Sequence, residues 1–123
     1  QAWPKETMDL TSIDEVLNTL NVSDASSTAM QIKAPQIAEN GATVPIEVDA
    51  TSLPGKVKKI AVLVEGNPRP LAGIFSYEEG ANGMLGTRVK MGKSGKLTFV
   101  VMTDKGNFID SRDVKVTIGG CGG

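Results

Sequence analysis

The sequence predicts a mainly β fold: an antiparallel immunoglobulin-like β-sandwich of about seven strands, with an N-terminal helix and a flexible C-terminal arm. Three observations carry this prediction. Apolar and polar residues alternate in seven short segments after residue 29. Turn-forming residues separate these segments, and a single helical pattern precedes them all. We therefore divide the 123-residue chain into one domain, residues 1–118, and an arm, residues 119–123.

The first predicted element is a helix over residues 7–21. Ser12 and Glu15 form the pattern S-x-x-E, in which both side chains satisfy free backbone N–H groups at a helix start. The apolar residues that follow fall on one helical face: Ile13, Val16, Leu17 and Leu20. We expect this stripe to pack on the body of the domain; the alternative is a helix that binds a partner. Residues 22–28 are polar and form a linker.

Seven segments with a period of two follow the linker. Both faces are apolar in the segment that begins at Ile60, which predicts a central strand buried on both sides. The run at residues 97–102 is apolar except for Thr98 and predicts a second buried strand. The remaining predicted strands lie at residues 30–34, 44–49, 71–75, 85–91 and 114–118.

Glycine, proline and asparagine fall between the predicted strands, as at Asn40-Gly41, Pro54-Gly55 and Asn82-Gly83. Gly92-Lys93-Ser94 is similar to a phosphate-binding loop, but five residues separate Gly86 from Gly92 where the motif requires four. A strand rather than a helix also follows it. We therefore reject the phosphate loop and predict a hairpin turn.

The composition excludes several kinds of site. The chain has no histidine, so it cannot form a Ser-His-Asp triad or a Cys-His catalytic pair by itself. Glu78-Glu79 offers adjacent carboxylates, which are typical of a solvated loop and make a weak metal site.

No run of about 18 apolar residues is present, so no membrane-spanning helix is expected. Because the chain opens Gln1-Ala2-Trp3 without methionine, we expect that an export leader was removed or that the chain was trimmed.

The charge is distributed unevenly. Residues 1–50 carry two basic and eight acidic residues, a balance of −6, whereas residues 51–123 carry eleven basic and six acidic residues, a balance of +5. The second half therefore has enough positive charge for a basic face toward an anionic partner. The alternative is that these lysines are solvated on exposed strand faces.

The candidate functional residue is Cys121, the single cysteine of the chain, which stands between Gly119-Gly120 and Gly122-Gly123. Glycines without a Cβ make a thin arm that can enter a narrow channel. Nothing in the neighbouring sequence lowers the pKa of the thiol, so it is a poor enzyme nucleophile and an accessible attachment point. The alternatives are a frayed tail with an accidental cysteine or a tether that forms an intermolecular disulfide.

These residues resemble the SoxY family of bacterial sulfur oxidation proteins. The resemblance rests on the ending Val114-Lys-Val-Thr-Ile-Gly-Gly-Cys-Gly-Gly123. Three internal segments support it: Ala34 to Ile46, Asn67-Pro-Arg-Pro-Leu71 with Phe75, and Thr87-Arg-Val-Lys-Met91. Together they span residues 30–123.

The resemblance implies a periplasmic protein, exported with a leader, that pairs with SoxZ and has no metal or other cofactor of its own. Cys121 would be the covalent attachment site, and Gly119, Gly120, Gly122 and Gly123 the swinging arm. The c-type cytochrome SoxAX would join thiosulfate to the thiol, giving a cysteine S-thiosulfonate. SoxB would then hydrolyse off sulfate and leave a persulfide, and SoxCD, where present, would oxidise the remaining sulfur. The chain would thus be a carrier rather than an enzyme; a disulfide-linked dimer through Cys121 is a further expectation.

Three other functions remain open. A ubiquitin-like sulfur carrier would use the terminal carboxylate of Gly122-Gly123, but that fold needs a helix after the first hairpin, whereas this predicted helix precedes all strands. A β-sandwich binding module tethered by a disulfide is a second alternative. A stand-alone thiol enzyme is the third, and turnover by the purified chain alone would distinguish it.

Overall fold

The computed structural model describes residues 5–118 and shows a mainly β protein with two sheets, as predicted. A short 3₁₀ helix, Lys5–Asp9, and the helix α1, Ile13–Thr19, precede the strands. The strands are β1 (Ser26–Ser27), β2 (Gln31–Lys33), β3 (Ile37–Ala38), β4 (Val44–Asp49), β5 (Val57–Val64), β6 (Leu71–Ser76), β7 (Met84–Val89), β8 (Gly95–Thr103) and β9 (Gly106–Val116).

The predicted helix over residues 7–21 is wrong in both bounds. At the start Ser12 separates the 3₁₀ helix from α1, and at the end α1 stops at Thr19. Ser12 has an extended backbone (φ −122°, ψ 137°), and its Oγ accepts a hydrogen bond from Glu15 N at 3.3 Å. The serine therefore caps a helix that begins at Ile13. At the other end Asn21 adopts a φ of 60°, and Val22 N donates to Leu17 O at 2.9 Å. This left-handed residue turns the chain away from the helix axis.

The apolar stripe of α1 packs on the larger sheet, as predicted. Val16 and Leu20 are buried, and Ile13 and Leu17 are partly buried beside them. Their neighbours are apolar residues on the outer face of the sheet: Ala61, Leu63, Leu71, Val100 and Met102. A helix of seven residues gains little stability by itself, so this burial is what holds it in place.

The larger sheet has the strand order β1-β9-β8-β5-β6, with β3 also beside β9, and the smaller sheet has the order β2-β4-β7. β5 is central, as its apolar run predicted, and all five residues from Ile60 to Val64 are fully buried. β8, predicted only as a buried strand, is central as well. One face of these strands meets α1. The other face meets the smaller sheet through a core that includes Ile46, Val62, Phe99 and Val101. The packing of the two sheets is consistent with a β-sandwich; the immunoglobulin-like topology stays a prediction. The prediction of about seven antiparallel strands is wrong in two respects: the described residues form nine strands, and β1 and β3 each pair with β9 in parallel.

Two connections differ from the sequence-based expectation. Residues 90–94 join β7 in the smaller sheet to β8 in the larger sheet, so the predicted hairpin turn at this position is wrong. The predicted last strand at residues 114–118 is the end of a longer strand that begins at Gly106. The polar residues in the middle of β9 hid its length, because they interrupt the apolar alternation.

Asp110 and Arg112 on β9 hold the segment between β1 and β2. Asp110 Oδ2 accepts hydrogen bonds from Met30 N at 2.9 Å and from Arg112 Nη1 at 3.0 Å. Arg112 Nη2 donates to Met30 O at 3.1 Å. Side chains thus take the place of a neighbouring strand along this part of the β9 edge.

Asp110 should make the free energy of unfolding depend on pH. Burial raises the pKa of its carboxyl, but hydrogen bonds from Met30 N, Arg112 and Ser111 N outweigh burial, and the net pKa is lowered. A carboxyl with a lowered pKa stabilises the folded state above its unfolded pKa of about 4, and that stability is lost as the pH falls through the folded pKa. We therefore expect Asp110→Asn to lose about 1–2 kcal/mol at pH 7 and the difference from wild type to shrink below about pH 4. Urea denaturation between pH 3 and 7 measures this; a difference that does not change with pH would contradict it.

Candidate functional site

The predicted site residues, Cys121 with Gly119, Gly120, Gly122 and Gly123, lie outside the described residues. The part of the site that the structure describes is the segment from which the arm leaves the domain, residues 116–118, which we call the arm base.

β3 holds the arm base against the larger sheet. It runs parallel to the end of β9, with Ile37 opposite Lys115 and Ala38 opposite Val116. Lys115 N donates to Gln36 O at 2.9 Å, and Thr117 N donates to Ala38 O at 3.1 Å. The parallel pairing therefore continues until one residue before Ile118.

Two further loops reach the arm base by hydrogen bonds. Gly41 N donates to Ile118 O at 2.7 Å, and Gly41 O accepts from Met91 N, also at 2.7 Å. Val116 N donates to Ser94 Oγ at 2.8 Å. The loop at residues 90–94 is thus connected to the arm base twice, once through Gly41 and once through Ser94.

Asn67 lies in a third loop, the hairpin between β5 and β6, and connects this hairpin to the loop at residues 90–94. Its Nδ2 donates to Lys90 O at 2.7 Å, and its Oδ1 accepts from Gly92 N at 2.9 Å. Gly66 precedes it with a φ of 100°, and a Cβ at Gly66 would lie 3.2 Å from Lys93 Cε. The Lys93 side chain therefore lies along the hairpin backbone. We call the loops at residues 39–43, 65–70 and 90–94 the arm-end loops.

Sequence reasoning missed this network of hydrogen bonds. Asn67 and the Gly41 turn were noted within family segments and turns, and Ser94 within a rejected phosphate loop, but nothing in the sequence indicated that they meet. Asn67 lies 23 residues from Lys90 and Ser94 lies 22 residues from Val116, so the contacts depend on the fold. The signal that was available is that Gly41, Asn67, Met91 and Val116 all belong to the segments that carry the family resemblance.

The adjacent carboxylates considered as a weak metal site and the two arginines of the family segments, Arg69 and Arg88, lie at the surface. Glu79 forms an exposed ion pair with Lys56 at 3.6 Å, and Arg69 forms one with Asp9 at 3.8 Å. Arg88 lies exposed on β7. Within residues 5–118, no group of three or more carboxylate, histidine or cysteine side chains is placed to hold a metal ion. No helix in the described part of the chain has the length and apolar character to span a membrane.

Comparisons with known proteins place the chain beside sulfur carriers. The family model for "sulfur oxidation protein SoxY" matches residues 15–121. The solved structure of the sulfur carrier protein SoxY from Chlorobium limicola f. thiosulfatophilum is 40% identical, with a TM-score of 0.63 over 76% of this chain and 83% of that chain. No curated protein sequence matches the chain.

A second solved structure shares the fold alone. The superoxide reductase (neelaredoxin) from Ignicoccus hospitalis is 19% identical, with a TM-score of 0.60 over 87% of this chain and 99% of that chain. At this identity the likeness concerns architecture. It carries no information on chemistry, and histidine, the commonest metal ligand, is absent from this chain.

Proposed function

Because the chain belongs to the SoxY family of sulfur oxidation proteins, we propose that it carries sulfur substrates covalently on the thiol of Cys121. The observation that carries the proposal is that the family match extends to residue 121 and so includes the single cysteine. The flanking glycines of the arm give the thiol clearance to enter the sites of other proteins. The chain itself is a carrier and not an enzyme.

Loading is an oxidation. The Cys121 thiol loses its proton, thiosulfate adds through its terminal sulfur, and an S–S bond forms. This step releases two electrons, which the c-type cytochrome complex SoxAX accepts. The product is a cysteine S-thiosulfonate, which carries one negative charge.

Unloading is a hydrolysis. SoxB adds water across the bond between sulfur and the sulfonate group, so that sulfate leaves and a persulfide remains on Cys121. No electrons are transferred in this step. Where SoxCD operates, it oxidises the remaining sulfur before a further hydrolysis.

A carrier with this cycle works in the periplasm, as a heterodimer with SoxZ, and visits its enzymes one after another. Its contacts with each enzyme must therefore be weak and short-lived. The hydrogen-bonded arm base supports the proposal because it fixes the start of the arm. From Ile118 to Cys121 the chain spans at most about 10 Å, at 3.3–3.6 Å per residue. No cofactor is needed beyond the sulfur intermediates themselves.

The test is the intact mass of the protein purified from cells that grow on thiosulfate. We expect adducts of thiosulfate or of single sulfur atoms that map to Cys121 and disappear on reduction. Incubation with SoxAX and thiosulfate should produce the first adduct in vitro. A thiol that stays unmodified in both experiments would contradict the proposal.

A further inference from the structure

β7 is a regular edge strand of the smaller sheet. The strand order β2-β4-β7 gives it a neighbour on one side only within residues 5–118, and its pairing with β4 runs without a bulge from Met84 to Val89. Two other edge strands are less regular: β2 has three residues, and the pairing of β6 with β5 shifts register between Val62 and Leu63. Short edges and bulges discourage the addition of a further strand. β7 has neither feature.

The backbone groups of β7 that point away from β4 belong to alternate residues. Ala50 N donates to Gly83 O at 3.1 Å, and these two residues lie opposite each other, so they are a hydrogen-bonded pair of the antiparallel ladder. Every second residue after Gly83 therefore points its N–H and C=O groups at β4. The residues between them, which are Met84, Gly86 and Arg88, point these groups outward.

Side chains satisfy the outward groups at the two ends of β7. Met84 O accepts a hydrogen bond from Tyr77 Oη at 2.8 Å, and Met84 N donates to Asn82 Oδ1 at 3.2 Å. Just beyond the other end, Lys90 O accepts from Asn67 Nδ2 at 2.7 Å. These bonds limit any further pairing to the two outward-pointing residues that lie between the ends.

Those two residues are Gly86 and Arg88, whose outward N–H and C=O groups have no partner in the described part of the chain. We call Gly86, Thr87 and Arg88 the open edge. Its pattern is self-complementary: when two copies pair antiparallel about Thr87, Gly86 of each copy lies opposite Arg88 of the other. Four hydrogen bonds then satisfy every free group in both copies.

The side chains on the outer face of the sheet fit the same register. Gly86 is exposed and has no side chain, so it leaves room for an arginine from the opposite strand. Glu47 lies next to Gly86 on β4, and a Cβ at Gly86 would be 3.7 Å from Glu47 Cγ. The partner's β7 would lie about 10 Å from β4, a distance that arginine and glutamate side chains span together.

The charges needed for this contact are available. The guanidinium of Arg88 is exposed and forms no ion pair within residues 5–118, not even with Glu47 of its own chain. Glu47 contacts Lys33 at 3.9 Å, and both side chains are more than half exposed, so this ion pair is weak. A two-fold pair of chains would form the contact between arginine and glutamate twice.

We propose that a second copy of this chain pairs along the open edge, so that two smaller sheets become one continuous sheet, with Arg88 of each copy against Glu47 of the other. This inference does not depend on the carrier function. β7 lies beside β6, as the bond from Tyr77 to Met84 shows, whereas the arm base follows β9 near the other edge of the larger sheet. The pairing therefore leaves the arm base of both copies uncovered. Because the shared ladder is short, the association is weak and reversible.

The experiment is sedimentation equilibrium of the full chain from about 10 µM to about 1 mM, with the thiol kept reduced so that no disulfide forms. We expect the mass of the wild type to rise toward that of two chains. Arg88→Glu should weaken the dimer about 10-fold or more, and Glu47→Arg added to it should restore the affinity to within about threefold, because the two charges exchange places. The matched control is Lys115→Glu on β9, which should not change the association. Arg88→Glu and Lys115→Glu each lower the net charge by two, from −1 to −3.

A backbone variant tests the ladder separately from the charges. Gly86→Pro removes an N–H group that points away from β4, an orientation in which edge strands tolerate proline. It should abolish the dimer, while thermal unfolding of the dilute protein shows that the domain is folded. If this variant does not fold, the charge exchange decides.

Three outcomes overturn the inference. The first is a wild type that stays monomeric at about 1 mM. The second is a dimer that Arg88→Glu weakens no more than Lys115→Glu does. The third concerns SoxZ: if SoxZ dissolves the dimer and Arg88→Glu weakens the binding of SoxZ, the open edge belongs to that heterodimer and not to a second copy.

Discussion

Replacing Cys121 with serine is expected to abolish thiosulfate loading completely. Loading forms an S–S bond to the side chain, and a serine oxygen, which stays protonated at neutral pH, cannot replace the thiolate in that bond. The variant should keep the stability of the wild-type domain, because the substitution lies beyond the last residue of β9. Intact mass after incubation with SoxAX and thiosulfate measures the loss, and thermal unfolding checks the fold.

A displaced thiol provides the matched control. Ser52 is exposed in the connection between β4 and β5, so Ser52→Cys in the Cys121→Ser background restores a thiol away from the arm. We expect this thiol to react with iodoacetamide and not to be loaded by SoxAX. Loading at position 52 would show that any exposed thiol suffices. Sulfur transfer that survives Cys121→Ser and depends on adenylation would instead favour the ubiquitin-like mechanism at the terminal carboxylate.

The strands could be predicted where their apolar pattern is local. β5 and β8 are buried on both faces, so each shows an apolar run that the sequence displays directly, interrupted in β8 only by Thr98. β1 and β3 could not be predicted, because each consists of two residues defined only by pairing with β9, about 80 positions away. The helix bounds failed for a different reason: the cap at Ser12 was recognised, but the residues before it were assigned to the same helix.

The candidate site, like the fold, could be predicted from the sequence only in part. Cys121 could be singled out because one thiol between glycines is unusual within five residues of sequence. Asn67 and Ser94 could not be assigned, because each acts on a loop or strand that the fold brings from more than 20 positions away. The charge difference between the two halves of the chain was compatible with a basic face or with solvated lysines, and the sequence could not decide between them.

A substitution at Gly95 should destabilise the arm end strongly. A Cβ at this position would lie 2.2 Å from the backbone oxygen of Glu65, a separation that requires the backbone to move. Glu65 N donates to Lys96 O at 2.8 Å, so the two segments are held together at this point. We expect Gly95→Ala to lower the free energy of unfolding by about 2–3 kcal/mol, at the upper end of the range for an overpacked site. The midpoint of urea denaturation measures the loss.

Gly86→Ala is the matched control, because it adds the same methyl group to another strand glycine. At Gly86, in β7, the added Cβ would lie 3.7 Å from Glu47 Cγ, an ordinary van der Waals contact. Alanine also restricts the unfolded chain, so this variant should be within about 0.5 kcal/mol of wild type or slightly more stable. Equal midpoints for the two variants would contradict the close approach of β8 to the β5–β6 hairpin.

Because Ser94 adjoins Gly95 and accepts the hydrogen bond from Val116, a folded Gly95→Ala protein should also load thiosulfate more slowly than Gly86→Ala.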